Sequence, residues 1–187
     1  MELHREVIEL SKQGNPRAQY QLYQLYAKAM FNISYRIMNN RTEAEDMLQE
    51  AFTEAFKKLD SFRYESNFGS WLKRIVINKC INEMKRRKTD LQYFDEVTHF
   101  ETVEEETAEY RAGLSIENVK RAMEELPKGS KIIFSLYLLE GYDHKEISQI
   151  LNISESNSKS QYMRAKNKVK EYLQYQLSWK QTISKNL

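Results

Sequence analysis

A single cysteine, Cys80, excludes an internal disulfide and any multi-cysteine zinc site in this chain of 187 residues. It falls on an apolar helical face, where a buried, inert thiol is expected. Only 2 Pro and 5 Gly leave few places for tight turns, and no stretch sustains the apolar–polar alternation of a half-buried strand. There is no apolar run of transmembrane length and no N-terminal signal pattern, since the chain is charged from Glu2 onward. A soluble cytoplasmic protein without membrane insertion is expected. The 3 histidines, His4, His99 and His144, lie on unrelated stretches, none beside a nucleophile or a carboxylate pair. No glycine-rich phosphate loop is present. An enzyme is therefore not expected, and no catalytic residue, metal or cofactor is assigned.

An excess of one charge is missing as well. The net charge of +2 announces no nucleic-acid binder, but acids and bases sit in separate blocks, and that segregation carries the information. With 41% hydrophobic and 30% charged residues, the chain can build small cores under a large charged surface. The fold class expected is all-α.

What is present is helical periodicity. Glu2 to Gln13 reads as a short helix with Leu3, Val7, Ile8 and Leu10 inward, stopped by Gly14. Asn15 then offers an N-cap and Pro16 a first helical residue, opening a helix through Ala18, Leu22, Leu25, Tyr26, Met30, Ile33 and Ile37 that ends at Asn39-Asn40. Thr42 to Glu45 has the capping-box pattern, which predicts a third helix starting there. Ala44, Leu48, Ala51, Phe52, Ala55, Phe56 and Leu59 form its apolar face. Asp46, Gln49 and Glu50 project together at i, i+3 and i+4. That acidic face suits either solvent or a basic partner, and the residues alone leave both readings open.

The pattern breaks over Asp60 to Phe68, a loop with Phe62, Tyr64 and Phe68. Aromatic rings beside Arg63, Ser66 and Asn67 can stack on and hydrogen-bond an unpaired base. Alternatively Phe62 and Phe68 anchor the loop in the core, the reading favoured for Phe68. A basic helix follows, with Trp71, Leu72, Ile75, Val76, Cys80, Ile81 and Met84 on one face. Lys73, Arg74, Lys79 and the run Lys85-Arg86-Arg87-Lys88 flank it. Part of that run suits a helix C-terminus. Four consecutive cations exceed what capping requires, and a phosphate contact explains them better.

From Thr89 to Leu114 periodicity gives way to acids, which predicts a flexible tether. Ser115 is a plausible N-cap for a helix ending at Pro127, and a second helix closes at Gly141. Asp143 to Glu146 then caps a short helix, Asn152-Ile153 turns, and Ser154 caps a last helix through Tyr162, Ala165, Val169 and Leu173. A short helix, tight turn and longer helix form a helix-turn-helix. Ser156, Asn157, Ser158, Lys159, Ser160, Gln161, Arg164 and Lys168 make the last helix polar and basic, as reading of base edges and phosphates requires, although an ordinary solvated face has the same composition. The tail from Ser178 is expected to fray.

This order of elements resembles the bacterial sigma-70 family, and within it the extracytoplasmic function (ECF) sigma factors. Glu43 to Phe52, then Phe68 to Leu72 and Ile75 to Asn78, resemble the family's second conserved region. Asp143 to Lys168 is similar to its fourth. The resemblance implies two small helical domains joined by an acidic linker: region 2 at 1–88, the linker at 89–114, region 4 at 115–176 and a tail at 177–187. It implies that Asp46, Gln49 and Glu50 bind core RNA polymerase. Phe62, Arg63, Tyr64, Ser66 and Asn67, with Trp71, Asn78 and Asn82, would take the opened minus-ten element, including a flipped base. Lys73, Arg74, Lys79, Arg86 and Arg87 would hold phosphates. Ser154, Ser156, Asn157, Ser158, Lys159, Ser160, Gln161, Arg164 and Lys168 would meet the minus-thirty-five element.

Family members usually carry a small Gly-Thr-Val-like run where this chain reads Ser156-Asn157-Ser158, and often Arg in place of Gln161. The promoter sequence therefore does not carry over. The short span from Lys88 to Ser115 leaves no room for the third domain of housekeeping members, which favours the ECF class. The implied partners are core polymerase, promoter DNA and an anti-sigma factor. The competing reading is a stand-alone helix-turn-helix regulator acting on duplex DNA without polymerase.

Overall fold

The computed structural model describes residues 4–87 and 116–185, excepting the side chains of 116 and 177–185. The described residues fold into eight α-helices and one 3-10 turn, with no strand among them. The chain divides into two compact units, Met1–Asp90 and Leu91–Leu187. The expected linker of 89–114 and the proposed cap at Ser115 lie outside the described residues.

The first unit holds α1 (Arg5–Lys12), α2 (Pro16–Met38), α3 (Arg41–Lys57), the 3-10 turn Leu59–Ser61 and α4 (Phe68–Arg86). Its boundaries follow local chemistry. Gly14 takes a positive φ of 79° that a side chain would disfavour, and the Asn15 side chain accepts the amides of Arg17 and Ala18 ahead of Pro16. Asn39 ends α2 in the left-handed region at φ 55°.

The start of α3 differs from the expected one. Asn40, not Thr42, is the N-cap, its side chain accepting the Glu43 amide at 3.1 Å, and Glu45 pairs with Arg41 at 2.9 Å rather than closing a capping box. Because α2 stops at Asn39, the adjacent Asn40 meets the first free amides before Thr42 can.

α2 packs against α1, α3 and α4, and α3 against α4. Between them Ile8, Leu22, Ile37, Leu48, Leu59, Phe68, Leu72, Val76, Ile77 and Cys80 are buried. Burial pushes the Cys80 thiol up to about 11, so it stays protonated and inert. Leu10, expected to face inward, is 38% exposed, and Leu25, on the apolar period of α2, is 44% exposed.

The second unit contains α5 (Ile116–Glu124), α6 (Lys128–Leu138), α7 (His144–Leu151) and α8 (Glu155–Lys185), with α8 packed on the other three. Ala122, Met123, Leu126, Phe134, Ala165 and Val169 form one core cluster, joined by Val119, Tyr162, Tyr172 and Leu173 at its margin. Ile132, Ile133, Leu136, Ile147 and Leu151 are buried too. The backbone of α8 is helical to Lys185, where fraying from Ser178 was the expectation.

Candidate nucleic-acid interface

In the first unit, Asp46, Gln49 and Glu50 are all exposed on α3, the opposite face being closed by Ala44, Leu48 and Ala51. They line a cleft of about 410 Å³ together with Glu43, Met47, Glu83, Arg86 and Arg87. Acids dominate the α3 side and arginines the α4 end. Arg87 reaches across to Glu43 at 2.6 Å, and Arg86 and Arg87 both bind Glu83 at 2.8 Å. Their hydrogen bonds hold the Glu83 carboxyl down at about 2. Lys79 pairs with Glu54 at 2.8 Å and approaches Glu50 at 3.7 Å. Three of the five expected phosphate holders thus stand against carboxylates of α3 and α4. Such surface pairs contribute little each, about 0–1 kcal/mol, so phosphates can displace them.

The loop is built on its aromatics. Phe62 is 3% exposed and lies against Tyr64, Phe68 and Trp71, at centroid distances of 4.7, 5.5 and 5.3 Å. This corrects the assignment of Phe62 to base contact: its ring is spent inside the fold, as Phe68 is at 1% exposure. Trp71 is half-buried on the same cluster. Arg63, Ser66 and Asn67 remain exposed, although Asn67 also caps α4 by accepting the Ser70 amide at 2.7 Å. Beyond the loop, Arg74, Asn78, Asn82 and Arg86 are all exposed at successive four-residue steps. They form one slowly winding stripe about 18 Å long. Arg74 makes no ion pair among the described residues. Lys73 is half-buried beside this stripe.

In the second unit, the helix-turn-helix forms as read. Asp143 and Glu146 make a reciprocal capping box, Asn152 takes φ 59°, and the Ser154 hydroxyl accepts the Asn157 amide at 3.0 Å. Ser154, Ser156, Lys159, Ser160 and Lys168 are exposed, and Asn157 and Arg164 half-buried. Asn167, absent from the expected set, is exposed and falls on the turn after Ser160 and Arg164. Lys159 pairs with Glu155 at 2.7 Å.

Ser158 and Gln161 leave the reading set. Ser158 is fully buried under the α7 N-terminus and shares a 2.9 Å hydrogen bond with His144 Nδ1. Gln161 is 4% exposed, its Oε1 accepting a 2.6 Å bond from Ser130. Their polar atoms hold α8 to α7 and α6, and a base edge would have to break those bonds. The His144 ring stacks on Tyr137 at 4.6 Å and meets Tyr162 edge-on. Desolvation, then the Lys159 charge, lowers its pKa.

An exposed polar stripe in one helical unit and a helix-turn-helix in the other are the surfaces on which a DNA-binding role is to be judged. The chain matches the family model "Sigma-70 region 2" over residues 22–89 and "Sigma-70, region 4" over residues 116–169. It is 27% identical to the ECF RNA polymerase sigma factor SigW of Bacillus subtilis, covering 89% of this chain and 94% of that one. It is 30% identical to the RNA polymerase sigma factor SigZ of the same organism, covering 76% of this chain and 78% of that one. A similar fold occurs in the sigma factor RpoE of Bartonella quintana, solved in complex with the anti-sigma factor NepR, with TM-score 0.53, 26% identity, and 83% and 96% of the two chains covered. The chain belongs to the sigma-70 family, as an ECF-type alternative sigma factor directing transcription initiation.

Proposed function

We propose that Asp46, Gln49 and Glu50 dock this sigma factor on core RNA polymerase while the loop and the α4 stripe take the minus-ten strand. The observation that carries the reading is the exposure of Arg63, Ser66 and Asn67 on the loop and of Arg74, Asn78, Asn82 and Arg86 along the helix that follows it. Asparagines offer donors and acceptors to unpaired bases, and the flanking arginines suit the backbone. Holding an unstacked base offsets the few kcal/mol that opening the duplex costs, so recognition and melting become one event. The second unit sets register on the duplex upstream through Ser154, Ser156, Asn157, Lys159, Ser160, Arg164 and Lys168.

The domain roles follow: residues 1–88 bind polymerase and the minus-ten element, 115–176 the minus-thirty-five element, and 89–114 joins them. The protein acts in the bacterial cytoplasm as a binding factor, not as a catalyst. Among the described residues no helix is long and apolar enough to cross a membrane. An anti-sigma factor holds it inactive, by analogy with the complex of the Bartonella quintana relative.

Permanganate probing of a promoter enriched from a random library tests this reading. Core polymerase plus this chain should expose reactive thymines around the minus-ten element, and Asn78→Ala/Asn82→Ala should suppress them. Specific duplex protection by the chain alone, with no reactive thymine when polymerase is added, would replace this reading with that of a stand-alone regulator.

A further inference from the structure

Helix α1 lies outside both the acidic face and the DNA track, yet three of its side chains converge on the aromatic loop. Tyr64 Oη donates a hydrogen bond to Glu9 Oε1 across a separation of 55 residues. The Lys12 ammonium donates to the Phe62 carbonyl at 3.1 Å and sits 4.7 Å from the centroid of the Tyr64 ring. It also binds Glu9 at 3.2 Å, and the Arg5 guanidinium lies 5.0 Å from the same Tyr64 ring. Tyr64 itself has φ +61°, in the left-handed region that a bulky residue rarely occupies. Such a backbone persists only where its surroundings hold it. The Phe62 ring is fixed from below by Phe68 and Trp71. The Tyr64 phenol and ring are held from α1 by Glu9, Lys12 and Arg5.

We propose that α1 is a positioning element for base capture. Lys12 and Glu9 lock the Phe62 carbonyl and Tyr64, so that Arg63, Ser66 and Asn67 meet unpaired DNA already in their bound arrangement. This rests on the reading of the loop as the minus-ten capture site. A preformed loop avoids ordering on contact, and what it gains falls on the base that fits rather than on phosphates, which the α4 arginines attract whatever the loop conformation. Lys12 and Glu9 are thus positioning residues that touch no DNA. Loosening them lowers discrimination between bases and leaves sequence-independent affinity in place.

The test uses holoenzyme assembled from core polymerase and the full chain. Its affinity is measured for a single-stranded oligonucleotide carrying the library-enriched minus-ten sequence and for versions with each base replaced in turn. Wild type should prefer the enriched sequence. Lys12→Met and Glu9→Gln should each lower that preference by about tenfold, the low end of the scale of one lost charge-assisted bond, with affinity for a scrambled strand unchanged. Lys12→Arg, which keeps the charge and a donor, should retain most of it. If wild type discriminates and both variants discriminate equally well, the positioning role is wrong while the capture site stands. If affinity for every strand, scrambled included, falls by one common factor, α1 serves stability only and the proposal is likewise overturned. A wild type that shows no base preference would overturn the capture reading itself.

Discussion

Gln161 provides the sharpest separation of a structural role from a reading role on the last helix. Its Oε1 accepts from Ser130 Oγ at 2.6 Å, with the two residues 4% and 6% exposed, so this bond joins α6 to α8 inside the unit. Gln161→Met keeps length and volume but removes the acceptor, leaving a buried hydroxyl unmet at a cost of about 1–3 kcal/mol. Ser130→Ala strands the Gln161 carbonyl and should cost a similar amount. Removing both partners should cost less than the two single changes together, with a coupling of about 1–2 kcal/mol. The chain has two compact units, so one melting curve does not isolate this one. Native-state hydrogen exchange at α6 and α8 amides reports on it directly. At a temperature where the unit stays folded, the minus-thirty-five sequence enriched by the Gln161→Met protein should match that of wild type. Unchanged exchange together with an altered enriched sequence would refute the burial argument and return Gln161 to the reading face.

Other outcomes follow from the same contacts. His144 has a lowered pKa, so the unfolded chain takes up its proton first; the second unit should lose stability as pH falls below about 6.5, with no contribution above it. Denaturant unfolding read at Ile147 at about pH 7.5 and about pH 5.5 should show this, and His144→Phe should flatten the difference. Glu83→Gln releases a carboxylate shared by Arg86 and Arg87, and should steepen the salt dependence of non-specific DNA binding by about one phosphate contact. The Glu83 contribution to stability, present above its ordinary carboxylate range, should fade as pH drops toward about 2. Asp143→Ala opens the capping box of α7 and should cost the unit about 1 kcal/mol by hydrogen exchange.

Helix ends were legible where a single capping candidate lies within one turn of the end. Asn15 with Pro16, Asn39, Asp143 with Glu146, and Ser154 all act through their own neighbours. The start of α3 was misplaced because two adjacent candidates competed, and Asn40 stands nearer the end of α2 than Thr42. Leu10 and Leu25 fit the helical period but face solvent, since periodicity marks a wide face and only the packed partner decides how much of it is covered.

On α4, Arg74 and Arg86 stood out by their charge, whereas Asn78 and Asn82 entered only through the family resemblance, and the helix sets all four in one exposed stripe. Burial of Phe62, Ser158 and Gln161 was not legible, because it depends on Trp71, His144 and Ser130, brought close only by folding. The pairing of Lys79 and Arg87 with acids of α3 was hidden likewise: the sequence displays separate blocks of charge, and the bundle sets them face to face. The contacts of α1 on Tyr64 left no local signal at all.

Run-off transcription with purified core polymerase on a promoter library tests the central claim most directly, comparing the wild-type chain with Asp46→Lys/Glu50→Lys. Both positions are exposed, so the reversal should leave the fold intact. Transcripts that start only when wild-type protein is added, and vanish with the reversed charges, are the predicted result. Transcripts undiminished by the reversal would contradict the assignment of the acidic α3 face to polymerase.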